Sequence, residues 1–173
     1  MSQPFTRDQR IAALHTTIAE RILILDGGMG TEIQQFRPTE ADYRGTRFAD
    51  WPRDLRGFND LLILTKPEII RGIHAAYLDA GADIIESNTF NATSVALSDY
   101  GMDSLAYELN EAGARLLRRL CDDYAARDGR PRFTPAVPGP TTPPPSITPY
   151  TQHTASPHTP LLSFVISHHP TPP

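Results

Sequence analysis

The run Leu25-Asp26-Gly27-Gly28-Met29-Gly30-Thr31 sets a carboxylate directly before a cluster of glycines. Asp26 follows Ile22-Leu23-Ile24-Leu25, a continuous apolar stretch of the kind buried on both faces of a parallel sheet. In parallel α/β folds, ligands bind at the carboxyl ends of the strands. Glycines at such an end let a ligand approach the backbone and its N–H groups. The same residues also suit a tight strand-to-helix turn capped by Asp26, and spacing alone does not separate the two readings. No Gly-Lys-Ser/Thr follows, so the run is not a phosphate loop, and no third spaced glycine makes it a dinucleotide fingerprint.

A second polar strand end, Glu86-Ser87-Asn88-Thr89-Phe90, follows the short run Ala82-Asp83-Ile84-Ile85. Placed side by side, the two ends would suit a small zwitterion. A carboxylate accepts from an ammonium, and amide or hydroxyl donors meet a carboxylate. The competing reading is that these groups satisfy only their own loops. Cys121, in the middle of a helical pattern, reads as a small buried apolar side chain. His15 and His74 are isolated on helical patterns and receive no role. His153, His158, His168 and His169 lack the spacing that defines a metal site.

These candidates need strands and helices to position them. Thr6 with Gln9 forms a capping box before Ile11, Leu14 and Ile18. Residues 35–57 are polar and contain Trp51-Pro52, which predicts a long extended loop with alternating surface charges from Asp42 to Arg56. A further apolar run, 61–64, precedes Thr65, which with Pro67 and Glu68 predicts a capped helix start. That helix carries Ile69, Ile70, Ile73, Ala76 and Tyr77 on one face and ends at Gly81. A second long helix is expected over 104–126, with Leu105, Leu109, Ala112, Leu116, Leu120 and Tyr124 in phase. Strand, helix, strand, helix implies a parallel sheet. A third strand is expected near 132–137, impaired by Pro135 and Pro138 at its end.

Composition splits the 173 residues in two. Residues 131–173 contain 13 of the 17 prolines, and Arg132 is their only charged residue. That segment predicts a disordered tail, with the apolar run 161–166 as an aggregation-prone spot. Its Pro, Thr, Ser and Ala content fits either a Pro-rich linker or an out-of-frame reading of a GC-rich gene. A net charge of -4 without a basic run argues against nucleic acid as a partner. No apolar stretch is long enough for a membrane span, and the N-terminus lacks a secretory h-region. A single cysteine excludes an internal disulfide and fits the cytoplasm.

The runs LDGGMGTEIQQF and EADYRGTRFADWPRDLRGFNDLLILTKPEIIRGIHAAYLDAGADIIESNTFNATSVALSDYGM resemble the N-terminal homocysteine-binding region of cobalamin-dependent methionine synthases. The two strand-end motifs are shared across homocysteine methyltransferases, whereas the insert with RFADWP points to the cobalamin-dependent type. The resemblance is strong over about 20–130, continues in degraded form to Pro149, and ends at Tyr150.

The resemblance implies an α/β fold, a partial (β/α)8 TIM barrel made of the first βα units only. On this reading 1–133 is the N-terminal part of the homocysteine domain, 134–149 its degraded continuation and 150–173 the tail. It also implies L-homocysteine as substrate, held near Asp26, Gly27, Gly28, Asn88 and Thr89. In that family homocysteine binds as a zinc thiolate and takes a methyl group from methylcobalamin, which methyltetrahydrofolate recharges, forming methionine. The zinc ligands would be cysteines on later barrel strands, and the folate and cobalamin modules would be separate. This chain contains neither, so the resemblance implies a methyltransferase fragment inactive on its own. The alternatives are a non-catalytic module that binds a small amino acid, or an inert product of a truncated gene. An open wedge of a barrel that normally needs about 250 residues would leave apolar edges uncovered, which predicts poor solubility or partial folding.

Overall fold

The computed structural model describes residues 6–135. The continuation expected over 134–149 falls almost wholly outside the described residues. The tail 150–173, with its apolar run 161–166, falls wholly outside them. Among the described residues the fold is helix-rich. Seven α-helices occur: α1 (Arg7–Glu20), α2 (Met29–Phe36), α3 (Glu40–Arg44), α4 (Leu62–Thr65), α5 (Pro67–Asp79), α6 (Ser94–Ser98) and α7 (Ala106–Asp128). Single 3-10 turns, Asn59–Leu61 and Asp103–Leu105, lead into α4 and α7.

The expected strands are reduced to a narrow parallel ladder. Leu25 bridges to Ile84 and Ile84 to Phe133, both in parallel. The order matches the crossover pattern, but no extended strand forms among the described residues. Side chains take part of the backbone's bonding capacity. The Ile24 N–H donates to the Asp83 carboxylate at 3.1 Å, and the Ile22 carbonyl accepts from Arg21 at 3.1 Å. Pro131 and Pro135 flank Phe133 and cannot donate to a ladder.

The first apolar run is not buried on both faces, contrary to its pattern. Ile22 is 88% exposed, Ile24 57% and Leu25 49%. This segment pairs with Ile84 on one side only, so nothing described covers its other edge. The second segment is enclosed, with Asp83 and Ile85 fully buried. Asp83 anchors the ladder to the end of α1. Its two oxygens accept from the Arg21 guanidinium at 2.6 and 2.7 Å, with Arg130 at 3.4 Å. The Arg21 hydrogen bond holds the Asp83 carboxyl below its ordinary range, against the effect of burial.

The capping box at Thr6 is present, with Gln9 bonding back to the Thr6 N–H at 2.8 Å. Thr65 does not cap α5. The run 61–64 is helical and carries Thr65 with it, so its hydroxyl donates to the Leu61 carbonyl at 3.3 Å. Lys66 occupies the cap position and Pro67 opens α5. Gly81 follows the end of α5 at φ +103°, a backbone conformation that favours glycine.

Residues 35–57 are not an extended loop. Tyr43, Phe48 and Leu55 point into the core, which supplies the burial that the polar composition hides. The charges tie the segment down. Arg44 donates to the carbonyls of Trp51 and Arg53 at 2.7 and 3.0 Å, and Glu40 accepts from the N–H groups of Leu55 and Arg56. Arg53 donates to the Asp99 carbonyl at 2.7 Å, and Arg47 pairs with Glu108 on α7. The main core joins these residues to Ile33, Phe58, Leu61, Leu62, Ile70, Leu97, Met102 and Leu109. A second cluster, with Leu78, Ile85, Leu117, Leu120 and Tyr124, seats the ladder against α5 and α7.

Candidate functional site

Both strand-end motifs open into one cleft of about 400 Å³. Residues 26–30 form one wall, Glu86, Ser87, Asn88, Phe90 and Asn91 the opposite wall, and Asn59 with Asp60 a third. Cross-bonds fix this arrangement. The Glu86 N–H donates to Asp26 Oδ1 at 3.0 Å, so the first loop's carboxylate grips the second loop's backbone. The Asn88 amide donates to the Asn59 carbonyl at 2.8 Å, and the Asn91 N–H donates to Asp60 Oδ1 at 2.8 Å.

Asp26, Gly27, Gly28 and Asn88 therefore meet as the sequence suggested. Thr89 lies behind the wall instead of in it. Its hydroxyl shares a 2.6 Å hydrogen bond with Ser87, and its methyl packs toward Gly113 on α7. Gly113 allows this approach, since a Cβ there would lie 2.8 Å from Thr89 Cγ2. Asp60 and His74 were not visible as site residues in the sequence. Asp60 sits at the end of a polar segment, and only the tertiary fold buries it to 3% exposure. The one available signal was position: a polar Asn59-Asp60 pair abuts an apolar run, as Asp26 does. His74 is fully buried beneath Asp26, with Nδ1 3.7 Å from Oδ2. Helical periodicity alone carries no sign of that proximity.

Three carboxylates line the cleft and no lysine or arginine does. Burial pushes the Asp60 carboxyl up to about 6 despite the hydrogen bonds it accepts from the Asn91 side. Burial, with the Asp26 charge, also raises Glu86. Such a site favours a cation of ammonium size. On the same wall as Asp26, α2 begins after its N-cap residue Gly28 without a side-chain cap. Met29 and Gly30, the first residues of α2, line the cleft, and a helix N-terminus favours an anion.

A metal does not fit these residues. Among the described residues, no group of three or more His, Cys, Asp or Glu side chains could hold one. Cys121 is fully buried in α7, and burial pushes its thiol up to about 11, which keeps it protonated and a poor ligand. No helix among the described residues is long and apolar enough to cross a membrane.

Solved structures that share the fold include two forms of one enzyme. The homocysteine methyltransferase MmuM from Escherichia coli, in its metallated form, matches with a TM-score of 0.57 and 22% identity over 74% of this chain. Its oxidized form matches with a TM-score of 0.54 and 23% identity over 72%. The chain spans 41% and 39% of those two structures, about two fifths of their length. The sequence profile described as homocysteine S-methyltransferase matches residues 23–167, which includes all three cleft walls and runs past Tyr150, where the motif-by-motif resemblance ends. The fold is thus one shared with a homocysteine methyltransferase, and the profile match over most of the chain shows that this chain belongs to the homocysteine S-methyltransferase family.

Proposed function

We propose that this chain is the homocysteine-binding part of a cobalamin-dependent methionine synthase, built as the first βα units of a (β/α)8 barrel. The observation that carries the reading is the cleft itself, in which Asp26 and the second strand end are locked together by the Glu86 N–H. In this role Asp26 accepts from the substrate ammonium, the backbone at Gly27 and Gly28 with the start of α2 receives the carboxylate, and Asn88 lines the wall. Thr89 supports Ser87 from behind. The insert around RFADWP supports the cobalamin-dependent type, whose methyl donor is methylcobalamin and whose folate and cobalamin modules complete the reaction. Zinc fits no set of described residues, so thiolate formation is assigned to none of them. The work of these residues is capture and orientation, and the chain by itself binds homocysteine without methylating it. A single cysteine fits work in the reducing cytoplasm.

The test is isothermal titration of the full chain with L-homocysteine. Binding is expected, and Asp26→Asn should weaken it roughly 10-fold or more, because a charge-assisted hydrogen bond is lost. Absence of binding, or an Asp26→Asn chain that binds as well as the wild type, overturns the reading. Methionine formation from methylcobalamin by the isolated chain would overturn the claim that it binds without transfer.

A further inference from the structure

Beneath the first strand end, one buried polar side chain has no partner. His74 on α5 is 0% exposed, and neither ring nitrogen makes a hydrogen bond. A buried histidine is usually satisfied, because an unpartnered imidazole forfeits the hydrogen bonds it makes to water. Its Nδ1 lies 3.7 Å from Asp26 Oδ2, about 0.5 Å beyond the outer limit of an N–H···O bond. The Asp26 side chain is itself only 4% exposed. Oδ1 accepts from the Glu86 N–H, and Oδ2 is the oxygen on the His74 side.

The helix makes this placement deliberate in geometric terms. His74 and Tyr77 are three residues apart and share a face of α5 with the buried Ile70 and Ile73. The Tyr77 hydroxyl lies 3.4 Å from where a Gly28 Cβ would stand, so α5 places two polar groups under one loop. The charges that surround the pair come from several elements. Glu86 on the second strand end, Tyr77 on α5 and Cys121 on α7 all feel the Asp26 carboxylate, and Glu32 on α2 acts on Tyr77. Of these groups only the imidazole offers a nitrogen donor.

We propose that His74 is a positioning residue for the amino-acid site. With a proton on Nδ1, it donates to Asp26 Oδ2 once the 3.7 Å gap closes, and so sets which carboxylate lone pairs face the substrate ammonium. The proposal rests on the reading of Asp26 as the ammonium acceptor.

Two measurements on the full chain test it and keep the two claims apart. The first needs no ligand. The protein is labelled with nitrogen-15 histidine, and His74→Asn identifies the ring signals of His74. Asp26→Asn should shift the His74 Nδ1 signal and leave the other histidines in place. An unmoved Nδ1 signal overturns the pairing, whatever the protein binds. The second compares L-homocysteine with 4-mercaptobutyrate, which keeps the thiol and carboxylate but lacks the ammonium. His74→Leu should weaken homocysteine roughly 10- to 100-fold and leave 4-mercaptobutyrate unchanged. His74→Asn, whose amide nitrogen can take the place of Nδ1, should restore homocysteine binding close to wild type. Equal loss for both ligands marks a merely structural histidine and overturns the proposal. A wild-type chain that binds neither compound removes the ammonium-acceptor reading, and the substrate part of this proposal with it. The spectroscopic arm uses Asp26→Asn and wild-type protein, so it stands even where His74→Leu does not fold.

Discussion

In the helical layer Leu55, Leu61, Leu62, Leu97 and Leu109 are 0% exposed, whereas in the first ladder segment Ile22, Ile24 and Leu25 are 88%, 57% and 49% exposed. The first segment is apolar at every position from Ile22 to Leu25, so composition does not explain the contrast. Coverage does. The helical layer is enclosed by α4, α5, α6, α7 and the 35–57 segment, each contributing side chains to one cluster. The first ladder segment meets partners on one edge only. The cleft lies where the two regions meet, with Asp26 on the sparsely covered segment and Asp60 rooted in the helical layer. Stability should therefore come from the helices, and the ladder should tolerate change except where it touches the cleft.

The largest expected effect is in the closed region. Leu109→Ala should destabilise the chain by about 3 kcal/mol, through lost burial and the cavity left behind. Urea unfolding followed by circular dichroism measures this. A cost no greater than that of truncating Ile22 would break the comparison.

Next comes a pH effect at the boundary. The Asp60 carboxyl stands at about 6 in the folded chain because of burial, against an ordinary value of about 3.9 in the unfolded chain. The folded state therefore binds the proton more tightly, and stability rises as pH falls from above 6 toward 4. The gain is on the order of 3 kcal/mol, at about 1.4 kcal/mol per pKa unit. Below about pH 4 the direction reverses, because the lowered Asp83 carboxyl loses its Arg21 partnership on protonation. Asp60→Asn should abolish the rise between pH 7 and 4 and leave the acid limb. Parallel urea midpoints for variant and wild type across that window would show that Asp60 is not the group responsible.

A smaller effect is expected behind the cleft wall. Gly113→Ala brings a Cβ within 2.8 Å of Thr89 Cγ2, a stiff β-branched side chain that is 4% exposed. Overpacking costs about 2 kcal/mol and the helix gains about 1 from alanine, so a net loss of about 1 kcal/mol is expected. Thermal melts with and without homocysteine would sharpen this, since displacement of Thr89 should also reduce ligand stabilisation. A stabilised Gly113→Ala chain would mean that α7 and the second strand end are loosely joined.

The smallest effect belongs to the open region. Ile22→Lys should change stability by less than about 0.5 kcal/mol, as surface substitutions do. A loss comparable to that of Leu109→Ala would show that the first segment is covered in solution by something the described residues do not include.

Local signals proved readable where chemistry was local. The Thr6–Gln9 box needs only four residues, α7 needed only its apolar period, and α5 its period with Gly81 at its end. The two strand ends were readable because an apolar run that stops at a carboxylate or amide is itself a pattern. Thr65 misled because the same residue types serve as a cap or as the last turn of a preceding helix, and the burial of Leu61 and Leu62 decided between them. The 35–57 segment misled because its charges act as clamps on carbonyls of distant residues, such as Arg53 on Asp99. Those partners are invisible to a window of ten or fifteen residues.

Sequence alone determined the parallel βα order, the helical periods and the residue types at the two strand ends, since each follows from neighbours within a turn or a short run. Tertiary structure alone decided that Asp26 and Glu86 share a hydrogen bond, that Asp60 is buried and that His74 lies under Asp26. It also decided which apolar runs find a partner. The physical reason is that burial and electrostatic coupling depend on distance through space, and residues 26, 60, 74 and 86 become neighbours only when the helices between them pack.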